Sequence, residues 1–254
     1  MMLLIDIGNS RLKWATFNQD GTLSPQKSIA YKQAESLELS IAQSWLELEM
    51  PWQGVYLASV ADRHVNELIS NWVRNSWGID VIVMKTTDST CGVVNGYENP
   101  EQLGIDRWLA LIGARDLSHE VTCILDCGTA ITLDILTAHG HHAGGLILPN
   151  ETMMQNSLLE NTSDLKKRVA GSENDKHYKL LGRDTQTGIV SGSVYAVIGL
   201  LEYVLQRLEK NHNHVKLILT GGGATTFVPL IQRPCSYMPD LVLHGMAVMV
   251  KQRL

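Results

Sequence analysis

Two short motifs pair an aspartate with a glycine and small polar residues: Asp6-Ile7-Gly8-Asn9-Ser10 and Asp126-Cys127-Gly128-Thr129-Ala130. Each follows an apolar run of strand length and precedes a second one. The glycine lets backbone approach a ligand, and the N–H groups of such a turn can point at phosphate oxygens. The carboxylate can hold a hard cation such as Mg²⁺, which favours one or two carboxylates together with substrate phosphates. A single copy is more simply a hairpin turn. Two copies, at positions 6 and 126 of a 254-residue chain, favour a duplicated unit with a shared role. A third glycine feature, Thr220-Gly221-Gly222-Gly223-Ala224, follows a strand and precedes a helical stretch, so a phosphate or an adenosine could lie on bare backbone there. Any sharp strand–helix turn could use the same residues.

A fourth candidate is Gly104-Ile105-Asp106-Arg107-Trp108, preceded by Asn95-Gly96-Tyr97. Asp106 and Arg107 fall near a helix start after Pro100. Two readings stand side by side: a carboxylate base beside a guanidinium that clamps an anion, or an acid placed by the helix dipole alone. His139, His141 and His142 cluster at a turn and are read as solvent-facing rather than as metal ligands. His212 and His214 flank a helix end, and Cys123 and Cys127 are expected to bury as small apolar groups. The six tryptophans, Trp14, Trp45, Trp52, Trp72, Trp77 and Trp108, are expected in the core or at a dimer contact.

The elements that must position these groups follow from spacing. Met2–Ile7 and Leu12–Phe17 around Gly8-Asn9-Ser10 predict a hairpin, with a weaker third strand near Thr22–Ser28. Residues 33–49 have helical composition. Val55–Val60 and Asp80–Met84 read as strands. Val65, Leu68, Ile69, Trp72 and Val73 share one helix face between them. A helix-like stretch opens at Pro100. The second half repeats the plan: strands at Thr122–Leu125, Ala130–Leu136 and Ala143–Leu148, a long helix from about Thr187 to Leu208, a strand at Lys216–Leu219 and a helix over Leu241–Arg253. Two α/β domains are expected, 1–118 and 119–254, with the break in the polar stretch around 115–121. The polar, aperiodic segment between Glu160 and Gly182 is either an exposed lid or a plain surface loop.

Composition narrows the class. With 44% hydrophobic and 19% charged residues the chain can build a sizeable core. A net charge of −5 and the lack of a basic block argue against nucleic acid as a partner. No run approaches about 18 apolar residues, so no membrane span is expected. The amino terminus has no basic flank and reads as a strand. Four cysteines without a CxxC pair suggest reduced thiols and a cytoplasmic location.

The two Asp-Gly turns and the triple glycine, in this order, resemble the phosphate and adenosine motifs of the acetate/sugar kinase and actin-like ATPase superfamily. With Asn95-Gly96-Tyr97, Gly104-Ile105-Asp106-Arg107-Trp108, Gly144-Gly145 before Pro149, and Gly182-Arg183-Asp184-Thr185 added, the chain resembles the type III pantothenate kinases over nearly its whole length. That resemblance implies ATP-dependent phosphorylation of pantothenate to 4'-phosphopantothenate, the first step of coenzyme A biosynthesis. It implies an α/β fold of two duplicated ribonuclease H-like domains, with mixed β-sheets flanked by helices, as in actin-like ATPases. It also implies a homodimer, Mg²⁺, and a monovalent cation, K⁺ or NH₄⁺.

By the same resemblance Asp106 is the general base. Asp6, Ile7, Gly8, Asn9, Ser10, Arg11, Leu12 and Lys13 form the first ATP phosphate loop, with Asp6 near Mg²⁺. Thr129 contacts ATP phosphate, and Asp126 binds the monovalent cation. Tyr97, Gly104, Ile105, Asp106, Arg107 and Thr185 surround pantothenate. The homodimer is expected to use Trp108-Leu109-Ala110-Leu111, more apolar surface than one helix face needs. Two departures stand out: Ser10 replaces the family's usual Thr, and Asn150-Glu151 follows Pro149 where Gly is usual, a place where Asn could adopt the left-handed conformation. The rival readings are a nucleotide-binding transcriptional accessory regulator and a ribonuclease H-like nuclease. The Asp106-Arg107 pair argues against the first, and the acidic charge against the second.

Overall fold

The chain starts with a strand buried along its whole length, β1 (Met2–Ile7), which turns at Gly8 into β2 (Arg11–Phe17). The computed structural model describes residues 1–31, 36–45, 48, 52–162 and 178–252. β3 (Lys27–Ala30), α1 (Leu37–Trp45), β4 (Gly54–Ser59), α2 (Arg63–Trp77) and β5 (Val81–Val83) follow. β1 runs antiparallel to β2 and parallel to β4, and the sheet order is β3-β2-β1-β4-β5. Helix α2 is closed at both ends as its sequence dictates. The Asp62 carboxylate accepts the Val65 N–H at 3.0 Å, and Gly78 ends the helix at φ 68°.

A small hairpin, β6 (Ser89–Thr90) and β7 (Val93–Val94), leads through a short 3₁₀ turn at Pro100–Gln102 to α3 (Ile105–Leu117). Then β8 (Thr122–Cys127), β9 (Ala130–Leu136), β10 (His142–Pro149), α4 (Glu151–Asn161), α5 (Thr185–Glu209), β11 (Lys216–Thr220), α6 (Ala224–Phe227), β12 (Ser236–Tyr237) and α7 (Leu241–Lys251) complete the chain. The second sheet has order β10-β9-β8-β11-β12, strand for strand the plan of the first. β1 and β8 are six residues each and β2 and β9 seven each, and Asp6 and Asp126 hold the penultimate position of their strands. The duplication expected from the sequence is therefore present in the topology.

Packing divides the chain into two units. One comprises Met1–His119, Asp134–Gly144 and Asp240–Leu254, and the other Glu120–Leu133 and Gly145–Pro239. The chain first crosses between them one residue beyond the 118/119 division expected from the sequence. The packing units depart from simple halves in that 134–144 and 240–254 group with the first.

The first unit's core gathers Leu3, Ile5, Ile7, Leu12, Ile41, Val55, Leu57, Ile69 and Val73 with a tryptophan cluster. Trp45 meets Trp14, Trp72 and Trp77 at ring distances of 6.0, 5.3 and 5.6 Å. Aromatic pairs in such geometry add about 0.5–1.5 kcal/mol each beyond their buried area. Trp14 and Trp45 lie in the core, and Trp72 and Trp77 are partly buried against it.

Several expectations shift. The third strand lies at Lys27–Ala30 rather than 22–28, with only a single bridge from Leu23 to Phe17. Helix α3 begins at Ile105, because Pro100 opens a 3₁₀ turn that stops at Gln102. Trp108, Leu109 and Leu111 are wholly buried, and Ala110 nearly so. Helix α3 packs along α7, with Gly113 and Gly245 at the crossing. A Cβ on Gly245 would collide with the Leu109 carbonyl, and one on Gly113 would lie 2.7 Å from the Leu241 carbonyl. The apolar run at 108–111 is thus consumed inside the unit and is not the free surface expected for a dimer. The stretch between 160 and 182, read as a lid or a plain loop, lies in its residues 163–177 outside the described residues.

Candidate active site

In the first unit the β1–β2 turn is closed by the Gly8 N–H donating to the Arg11 carbonyl at 3.0 Å and is anchored by the Tyr31 hydroxyl donating to the Gly8 carbonyl at 2.6 Å. Asp6 is buried just before the turn and stands opposite Lys13 in the ladder. Asn9 and Arg11 are exposed, whereas Ile7 and Leu12 send their side chains into the core. The end of β1 runs beside Val60, whose N–H donates to the Ile7 carbonyl at 3.0 Å.

Val60 also borders a cleft of about 410 Å³ at the carboxyl ends of the parallel strands β4 and β5, walled by Ser59, Met84, Lys85, Thr86, Gly104 and Ile105. This is where ligands sit in open α/β sheets. Another cleft, about 490 Å³ between α1 and α2, contains none of the candidate residues. Asp106 lies one residue beyond the 410 Å³ cleft's edge, in the first turn of α3. Its Oδ1 accepts the Arg107 N–H at 2.8 Å and lies 2.6 Å from where a Cβ on Gly104 would be. Glycine at 104 leaves room for that carboxylate to fold back over the helix end. Gly104 is itself the N-cap residue, without a side chain to cap, so Asp106 does satisfy one helix-end donor. Burial nevertheless pushes its carboxyl above the ordinary aspartate value, against the pull of the Arg107 N–H and charge. A carboxyl raised above its ordinary value is better matched to proton abstraction than one kept low for capping.

Arg107 is buried and tightly held. Its Nε and Nη2 donate to the two oxygens of Asp134 at 2.9 and 2.6 Å, and Nη1 donates to the Tyr97 hydroxyl at 2.7 Å. Asp134 also faces His142 Nε2 at 2.8 Å, and the His142 ring stacks on Tyr97 at 5.7 Å. Burial alone would lower the Arg107 pKa and raise that of Asp134. The hydrogen bonds and charges of the cluster win at both, holding the guanidinium above and the carboxyl below their ordinary values. Glycines bring the pieces this close. A Cβ on Gly96 would collide with the His142 carbonyl, and one on Gly140, at φ 81°, with the Gly92 carbonyl. Asn95 adds an Asx turn, its Oδ1 accepting the Tyr97 N–H at 3.0 Å.

In the second unit Asp126 stands opposite Thr220 in the β8–β11 ladder. Gly221, at φ 84°, has room for no side chain: a Cβ there would strike Asp126 Oδ1 and the Cys127 carbonyl. The Gly223 N–H donates to that same carbonyl at 2.8 Å, so the triple glycine lies directly on the second Asp-Gly turn. Thr129 is exposed on this turn. Thr185 opens α5 just after Asp184, whose carboxylate caps the helix by accepting the Thr187 N–H at 2.7 Å. Asn150 is not left-handed as expected. At φ −68° it caps α4, its Oδ1 accepting the Met153 N–H at 2.8 Å while its amide donates to the Gly128 carbonyl at 3.2 Å. Asn at the N-cap adds a side-chain acceptor for the helix-end N–H that Gly in its place would lack.

Among the described residues no three His, Cys, Asp or Glu side chains converge on a ready-made metal site. The buried carboxylate of Asp6, and the half-buried one of Asp126 beneath a glycine whose lack of a side chain clears its Oδ1, are the hard oxygen donors that suit ions completing their shell with phosphate and water.

Reasoning from the sequence missed Asp134 and His142. The signal for Asp134 was present, since an aspartate inside Ile131-Thr132-Leu133-Asp134-Ile135-Leu136 is a charge in a buried strand and must find a partner. The solvent-facing reading holds for His139 and His141, which are exposed, and fails for His142.

The family model described as type III pantothenate kinase matches residues 2–207. A type III pantothenate kinase of Nitrosococcus oceani is 34% identical over 99% of this chain and 94% of its own length, and one of Dichelobacter nodosus 36% identical over 97% and 96%. Among solved structures, a Sinorhizobium meliloti protein named as a 2-dehydro-3-deoxygalactonokinase superposes at TM-score 0.64 with 12% identity over 100% of both chains. A Campylobacter jejuni protein named for the Baf family of transcriptional activators superposes at TM-score 0.61 with 20% identity, covering 99% and 98%. At such identities the two structures speak for the fold alone.

Proposed function

The chain belongs to the type III pantothenate kinase family, and from that premise we propose how its residues divide the work. It phosphorylates pantothenate at the expense of ATP, giving 4'-phosphopantothenate in coenzyme A biosynthesis. Asp106 is the general base. It takes the proton from the primary hydroxyl of pantothenate as that oxygen attacks the γ-phosphorus, and ADP leaves. The observation that carries this assignment is a carboxylate raised by burial, at a helix start beside a cleft at the carboxyl ends of β4 and β5.

Tyr97, Gly104, Ile105, Arg107 and Thr185 bind pantothenate. Asp6 through Lys13 and Thr129 bind the ATP phosphates. Asp6 would hold Mg²⁺ and Asp126 the monovalent cation, which together supply positive charge against the phosphate oxygens. In phosphoryl transfer, positioning and charge neutralisation carry most of the rate, with the base a smaller share.

The protein acts as a homodimer in the cytoplasm, with neither nucleic acid nor membrane as partner. Supporting the dimer, the second unit exposes apolar side chains on successive elements: Leu146 and Ile147 on β10, Met153 and Leu158 on α4, and Tyr203 on α5. Among the described residues α5 is the one helix with the length and apolar content to cross a membrane. Its serines and glycines interrupt the apolar run in the sequence, and a dimer partner is the simpler cover for its open face. Four free cysteines support a reducing compartment. The regulator reading is not favoured, because it has no use for a base beside the cleft. The test is ADP release with and without pantothenate, repeated with Na⁺ in place of K⁺. The expected result is release that needs both pantothenate and K⁺. Release indifferent to pantothenate would contradict the assignment.

A further inference from the structure

Arg107 has five N–H bonds, and three are taken: two by Asp134 and one by the Tyr97 hydroxyl. Its guanidinium is buried and bidentate on a buried carboxylate, and His142 Nε2 meets the same Asp134 Oδ1 that Nη2 takes. Arginine has no acceptor, so the Tyr97 oxygen must accept from it, which leaves the Tyr97 O–H free to donate elsewhere. An arginine whose charge is already paired attracts an anion weakly through net charge, but its remaining N–H bonds are fixed in direction.

We propose that Asp134 and His142 are positioning residues for the substrate site: they hold Arg107, and through it Tyr97, so that the leftover guanidinium N–H bonds and the Tyr97 O–H form a rigid donor set for pantothenate. Neither residue touches substrate. Asp134 also spends the Arg107 charge, which otherwise acts at full strength on Asp106. The charged groups whose field reaches Asp106 are Arg107 on its own helix and Asp134 on β9, with opposite signs. Pairing them keeps the base from being pulled down.

The inference rests on the assignment of Arg107 to pantothenate, so the experiment includes that residue. KM for pantothenate, KM for ATP, kcat and melting temperature are measured for Arg107→Lys, Asp134→Asn, His142→Leu and His142→Gln. Loss of hydrogen bonding to a charged group corresponds to roughly 10- to 100-fold in binding. Asp134→Asn is expected to raise the pantothenate KM by that order with the ATP KM unchanged, and to move the acid limb of kcat/KM to lower pH. His142→Leu should raise the same KM, and His142→Gln, whose amide nitrogen can replace Nε2, should restore it. If Asp134→Asn does not fold, the two His142 variants decide. Should Arg107→Lys leave the pantothenate KM unchanged, the assignment of Arg107 fails and the cradle with it. Should Arg107→Lys raise it while folded Asp134→Asn and His142→Leu do not, the cradle alone is overturned. A lower melting temperature with both KM values unchanged means a merely structural role and also overturns it.

Discussion

At the scale of single residues, two aspartates of the first unit that flank Arg107, Asp106 and Asp134, have opposite electrostatics. Asp106 is raised by burial and Asp134 is lowered by the histidine and arginine that meet it. Removing one partner of a buried ion pair typically costs about 3–5 kcal/mol, because the other charge stays buried and unpaired. Asp134→Ala should therefore destabilise the protein by that order in denaturant titrations. Its pH signature has a definite sign. A carboxyl held below its unfolded value stabilises fully above that value, about 3.9, and loses the contribution as pH falls through the folded value. The parent should thus lose stability below about pH 4 more steeply than Asp134→Asn in thermal melts. In the second unit Asp126→Ala should abolish the response of activity to K⁺. A parental K⁺ response in that variant would remove Asp126 as the cation ligand. The sequence displayed Asp6, Asp106, Arg107 and Asp126 because each stands in a motif of glycines and small residues. Asp134 and His142 have no such motif. What places them is the approach of two turns at Gly92 and Gly140, a tertiary event with no local spacing to announce it.

At the scale of elements, the strands around both Asp-Gly turns were legible, since an apolar run broken by a short glycine turn leaves little choice. The long helix α5 was also legible from its period. Helix α4 was not: among its side chains none is fully buried, so no apolar stripe marks it, and only the Asn150 cap signals its start. The two-residue strand β12 is too short to carry any period. The apolar run at 108–111 was legible as buried surface but not as to what buries it. The answer is α7, which approaches through Gly113 and Gly245. Gly245→Ala places a methyl group on the Leu109 carbonyl, and backbone cannot yield as a side chain does. Overpacking typically costs about 1–3 kcal/mol, and a shift of at least that size towards instability is expected in urea. A neutral effect would mean that the two helices part easily.

At the scale of the whole molecule, the same sheet order occurs twice, and each copy places an aspartate at the penultimate residue of its first strand. Duplication explains why each unit has an Asp-Gly turn at the same place in its sheet, while the Asp106-Arg107 pair belongs to the first unit alone. The second unit's exposed apolar side chains predict a dimer. Sedimentation at assay concentrations should give twice the mass of the 28.1 kDa chain, and Ile147→Asp on β10 should shift it towards monomer. A fully active parental monomer would defeat the dimer.

The central claim is that Asp106 is the base. Asp106→Asn keeps the size of the side chain and an oxygen that can accept the Arg107 N–H, but it cannot take a proton near neutrality. A general base is typically worth about 10²–10⁴ in rate. Pantothenate-dependent ADP release by Asp106→Asn should therefore show kcat reduced by that order, with the KM for ATP and the melting temperature close to parental. A near-parental kcat would contradict the account and leave Asp106 as a helix-end carboxylate with no part in the chemistry.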